Sequence, residues 1–178
     1  METNEPIPAL EQQLAASARA ERTARAQNLI KNYVLAATGV SLIPMPLADL
    51  GAIMALQIKL IHGLAKYYDV PFKENIAKSL VTSLLSGATS VVGIMGLASL
   101  AKSIPLLGTL GGMGSVAGTG GAVTYAVGQV FAKHFESGGS LFDFDPAKMK
   151  SLFKRELKKG KEAAAEAKSG GEAAPASA

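Results

Sequence analysis

A chain of 178 residues with 48% hydrophobic and only 18% charged residues holds one domain's worth of sequence. It carries fewer charges than the roughly 25% usual in soluble domains. It has no cysteine, which excludes disulfides and thiolate metal sites. The net charge of +4 is unevenly placed: between Pro146 and Lys168, eight basic residues stand against three acidic ones. The basicity is therefore a property of the C-terminal end.

The start, Met1-Glu2-Thr3-Asn4-Glu5-Pro6, is acidic and polar and does not read as the basic opening of a signal peptide. From Ala9 to about Leu35 the good helix formers Ala, Gln, Glu and Arg dominate, and they predict one long helix. Glu21 can pair with Arg25 one turn on. Only Leu29, Ile30, Tyr33 and Val34 make an apolar face, so this helix should be solvated at first and docked at its end. A coiled-coil contact is the sharper alternative.

Pro44 and Pro46 then break the chain, and Pro46 suits the first position of a second helix. That helix runs to about Tyr68, with Ile53, Leu56, Leu60 and Leu64 at helical spacing and Lys59 and Lys66 on another side. Asp49 is the only charge between Lys31 and Lys59. A carboxylate in so apolar a setting is a candidate buried polar site, with Gln57 two turns on as a partner. The structural alternative places it in the first helical turn, where free N–H groups stabilise an anion. Asp69-Val70-Pro71 ends the helix, and Pro71 is predicted to open the next.

Two uncharged runs follow, 23 residues from Ser79 to Ala101 and 30 from Ser103 to Ala132, separated by Lys102. About 20 apolar residues suffice to cross a bilayer core, so the pair predicts a membrane-inserted helical hairpin. Small residues mark the packing faces of helices in lipid. Ser83, Ser86 and Ser90 lie on such a stripe in the first run. Gly114, Gly118, Ala122 and Ala126 form a strict i+4 series in the second, predicted to seat a second copy of the chain. Lys and Arg crowd before and after the hairpin, which puts both termini on the cytoplasmic side.

After Ser137-Gly138-Gly139-Ser140, Asp145 suits an N-cap and Pro146 the first helical position. The final helix shows Met149, Leu152, Phe153 and Leu157 on one face. Lys148, Lys150, Lys154, Arg155, Lys158 and Lys159 surround that face. That pattern predicts a helix lying on anionic lipid; nucleic acid ranks lower, because phosphate contacts need no apolar face. Four segments result: a polar N-terminal helix over 1–32, a hydrophobic helical domain over 33–138, a linker with the basic helix over 139–168, and a disordered tail over 169–178.

Leu42-Ile43-Pro44-Met45-Pro46-Leu47-Ala48-Asp49, Gln57-Ile58-Lys59-Leu60-Ile61 and Ala65-Lys66-Tyr67-Tyr68-Asp69-Val70-Pro71-Phe72 resemble the YcjF-like family, domain of unknown function 697. Ser103-Ile104-Pro105-Leu106-Leu107-Gly108, Thr124-Tyr125-Ala126-Val127-Gly128 and His134-Phe135 extend the likeness, which covers about Tyr33 to Gly138. The resemblance implies an α-helical, membrane-associated bacterial protein with a GTPase connection, and it brings no catalytic residues. A phosphate-binding G-x-x-x-x-G-K-[ST] loop is absent from the sequence, so a GTPase would have to be a separate partner.

No other chemistry is legible. Gly114-Ser115-Val116-Ala117-Gly118-Thr119-Gly120 has the glycine spacing of some dinucleotide loops but not their preceding strand or following acid. His62 and His134, the two histidines, lack ligand spacing to each other or to a matching carboxylate. The expectation is an all-α, non-enzymatic scaffold of the bacterial cytoplasmic membrane, self-associating and touching anionic lipid, with no cofactor. A pore lined by the small-residue stripes, an adaptor for a GTPase, and a soluble bundle that buries both runs are the alternatives.

Overall fold

The computed structural model describes residues 7–40, 48–86 and 113–171. These residues form α1 (Ile7–Val40), α2 (Ala48–Tyr67), α3 (Glu74–Ser86), α4 (Met113–Glu136) and α5 (Pro146–Gly171), with no strand among them. The all-α expectation holds. The middle of the predicted hairpin, residues 87–112, lies outside the described residues, as do the Pro44–Pro46 break and residues 172–178.

The bundle is built around α4. Between Gly120 and Phe135 every residue except Tyr125 and Lys133 is buried, and α1, α2 and α5 all pack on this helix. A helix apolar on all sides needs such a surround, whether of lipid or of protein. Here, in its described half, protein supplies it. Among the described residues no helix is long and apolar enough to cross a membrane. The predicted spanning hairpin is thus not found in them, and the end of its second arm serves as a core helix instead.

Helix directions follow from the contacts. Thr23 donates to Glu136 (3.1 Å), Gln27 and Gln129 exchange amide hydrogen bonds (3.2 and 2.6 Å), and Gly121 meets Val34 and Thr38. Residue numbers rise on α1 as they fall on α4, so the two run antiparallel. Leu29 over Gly63 and Arg22 over Tyr68 set α2 antiparallel to α1 in the same way. α1 docks by Ala26, Ile30 and Ala37, whereas Ala9 to Arg22 are exposed. The solvated-then-docked reading of this helix is observed.

The helix ends are specified locally. Asp69, at φ 56°, takes the left-handed position after α2, and Val70 N–H returns to the Ala65 carbonyl at 2.8 Å. Gly138, at φ 89°, does the same for α4, with Gly139 N–H on the His134 carbonyl at 3.0 Å and Gly138 N–H on that of Phe135 at 2.9 Å. Asp145 Oδ1 accepts from Ala147 N–H at 2.9 Å and so caps α5, whose first residue is Pro146. α3 departs from expectation, starting at Glu74 rather than Pro71. Its hydroxyl stripe faces outward: Ser83 and Ser86 are exposed, and Ala77, Val81 and Leu84 are buried.

Glycine sets the helix spacing. An added β-carbon would stand 2.8 Å from Ile30 at Gly128, 2.6 Å from Thr38 at Gly121, and 3.0 Å from both the Cα and carbonyl oxygen of Ala122 at Gly160. At Gly160 the obstacle is backbone, which cannot turn aside. Gly160→Leu should therefore push α5 off α4 and cost about 1–3 kcal/mol, read as a lower melting temperature by circular dichroism. Gly63→Ala, which meets only the flexible tip of Leu29 at 2.7 Å, should cost less.

Candidate functional site

The densest charge cluster lies where α5 crosses the end of α4. Glu156 is buried to 1% exposure, on the side of α5 that faces the core. Lys133 donates to its Oε1 at 2.8 Å, and Lys159 and Arg155 approach the same oxygen at 3.5 Å. Burial alone would raise the Glu156 carboxyl. The hydrogen bond from Lys133, with the charges of Lys133 and Lys159, outweighs it and holds the group below the ordinary glutamate range. Tyr125 moves the other way: burial, then the Glu156 charge, raises its phenol.

The basic face predicted on α5 is present but divided. Lys148, Lys154, Arg155, Lys158 and Lys159 are exposed and Lys150 half-buried. Arg155 and Lys159 are partly engaged by Glu156, Lys148 by Asp145 at 3.7 Å, and Lys158 by Glu162 at 3.9 Å. The apolar face is already used. Phe153 is fully buried and Leu157 nearly so, with Met149 and Leu152 packed beside them. What α5 leaves outside is charge.

The small-residue series is split as well. Ala122 and Ala126 lie in the core, at 1% and 0% exposure. Gly114 and Gly118 fall on α4, in its first two turns. On α3 the Ser86 hydroxyl donates to the Thr82 carbonyl at 2.7 Å, and Thr82 bonds back to Lys78 in the same way; Ser90 lies outside the described residues. Asp49 is in the first turn of α2. Gln57 is fully buried, yet among the described residues neither polar atom of its amide finds a hydrogen-bond partner, and the Thr124 hydroxyl is likewise unpaired. Each such group costs about 1–3 kcal/mol.

The turn after α4 gathers Ser140, His134 and Asp143, the residue types of a hydrolytic triad. Their geometry is wrong for one. The Ser140 hydroxyl donates to Asp143 Oδ1 at 2.5 Å, while His134 Nε2 faces the Ser140 carbonyl at 2.9 Å. The hydroxyl thus gives its hydrogen to the carboxylate rather than to the imidazole, which faces a backbone oxygen. The Ser140 hydroxyl and N–H together hold the Asp143 carboxyl below the ordinary aspartate range. His134, set edge-on to Phe144 at 5.0 Å, ties the loop to the core. Phe131 stacks on the same Phe144 at 4.4 Å. This is a structural clasp.

The sequence reading counted Glu156 only as a charge and gave it no role, although it is the one acid among the six basic residues from Lys148 to Lys159. It also generates a pH dependence. Because its folded pKa is depressed, its stabilisation is complete above the ordinary glutamate value and is lost as pH falls through the folded one. Glu156→Gln should lower stability by about 1–2 kcal/mol at pH 7. Urea unfolding at stepped pH should show the gap between wild type and variant closing as the solution is acidified from pH 5 downward.

Over 150 residues, 84% of this chain and 77% of the relative, the sequence is 41% identical to magnetosome membrane protein 22 of Magnetospirillum gryphiswaldense. No solved structure matches. The family described as a domain of unknown function, number 697, matches residues 8–162. That span is wider than the motifs from Tyr33 to Gly138 suggested, and it takes in α1 and the basic part of α5. The chain belongs to the family of domain of unknown function 697.

Proposed function

We propose that this protein is a non-enzymatic structural component of a bacterial membrane, held at anionic lipid by α5 and assembled with copies of itself. The carrying observation is its 41% identity, over most of both chains, to a protein named for a membrane. The outer face of α5 supplies the contact. Lys154 has no ion-pair partner among the described residues, and Lys148 and Lys158 are each 81% exposed. Since the apolar face of that helix is covered by α4, attraction is electrostatic, at about 1 kcal/mol for each basic residue near the surface.

Self-association is assigned to the Gly114–Gly118 end of α4, because Ala122 and Ala126 are occupied within the monomer. Apolar contact with lipid is assigned to the sequence between Ser86 and Met113, where Lys102 is the single charge. The cytoplasmic face of the inner membrane is the proposed address, with both termini on that side.

Flotation of the full chain with vesicles tests the lipid contact. Binding should be firm to phosphatidylglycerol and poor to phosphatidylcholine, and should fall with added salt. Lys154→Glu with Lys158→Glu should weaken it at least tenfold; equal binding to neutral vesicles would sink the electrostatic reading. For self-association, Gly118→Leu should reduce the particle size in detergent while leaving helicity intact. Unchanged size would remove α4 from the contact.

A further inference from the structure

A half-open groove of about 390 Å³ lies between α2 and the start of α3. Its apolar lining is Met54, Ile58 and Phe72, with Phe72 held by a stack on His62 (ring centroids 4.5 Å apart, planes at 20°). Two observations set it apart from a packing gap. The first is Gly51, which lines it. Glycine inside a helix weakens the helix relative to alanine, so its presence needs a reason. At Gly63, Gly121, Gly128 and Gly160 the reason is a neighbouring atom within 3.0 Å of the absent β-carbon. At Gly51 no described residue lies within 4 Å. Contacts among the described residues thus give this glycine no reason, and it stands on the wall of the groove.

The second observation is charge. Lys59 and Lys78 both line the groove, and neither forms an ion pair among the described residues. Glu74 is the single acid beside them, which leaves the lining with one net positive charge. The volume falls at the lower end of the roughly 300–1,000 Å³ of small-ligand clefts. It suits one alkyl chain with a compact head rather than a two-chain lipid.

We propose that this groove binds a fatty-acid anion, its carboxylate met by Lys59 and Lys78 and its chain laid on Met54, Ile58 and Phe72. The site is separate from the basic face of α5 and does not rest on it. Calorimetric titration of the full chain with decanoate, below its micelle concentration, tests the assignment. One equivalent should bind. Gly51→Leu should abolish binding while the melting temperature stays level or rises, because the new side chain meets no described residue. Lys59→Gln with Lys78→Gln should weaken binding at least tenfold. Decyl maltoside should not compete, and a decanoyl lysophosphatidylglycerol should bind more weakly than decanoate. Undiminished binding by Gly51→Leu, equal competition by the maltoside, or tighter binding of the lysophospholipid would each overturn the proposal. Vesicle flotation of Gly51→Leu should match wild type, so the two lipid contacts are separable.

Discussion

Three helices can surround α4 only because its backbone is approachable. Gly128 lets Ile30 of α1 and Leu60 of α2 close in together, and Gly121 receives Val34 and Thr38 one heptad earlier. On another side Gly160 of α5 sits directly on the Ala122 backbone. Close approach multiplies dispersion contacts that are individually tiny, and it makes the bundle intolerant of added volume at these crossings. The buried aromatic group of Phe131, Phe135 and Phe144 packs the last turns of α4 against the loop after it.

Polar groups then fix which way the helices lie against one another. Apolar surfaces slide; directional pairs do not. The reciprocal Gln27–Gln129 amides lock α1 to α4, and Glu156 locks α5 to α4 through Lys133. Arg22 over the Tyr68 ring, at 6.0 Å, joins α1 to the end of α2. Burial and the Glu136 charge raise the Tyr68 phenol, which keeps it a neutral hydrogen-bonding group throughout the ordinary pH range.

Local signals were the legible part of the sequence. Asp145-Pro146 announced the start of α5, Asp69 and Gly138 the ends of α2 and α4, and the composition of α1 its exposed first half. Pro71 misled by three residues, because a proline fits an extended linker as well as a first helical turn. The larger differences shared one cause. An apolar run has the same composition whether lipid or protein covers it, so Ser103–Ala132 could not announce that its end is wrapped by other helices. The apolar face of α5 was read as lipid-facing on the same ambiguity. The i+4 series drew notice at Ala122 and Ala126, whereas Gly121 and Gly128, seven apart, and Gly160 on another helix are related only by the fold. The groove beside Gly51 was hidden for that reason too.

The free half of α1 has a thermodynamic character of its own. Residues 9–21 are exposed and make no tertiary contact among the described residues, so no such energy holds them helical. Such a segment persists only because the docked half supplies a formed turn to grow from, sparing it the improbable first step of helix formation. Its order therefore follows helix–coil statistics rather than an all-or-none transition. It frays residue by residue as temperature rises, with the bundle beneath it still intact. The protein thus carries a spacer whose stiffness is graded, a rod of about 20 Å when fully helical and a flexible coil when warm.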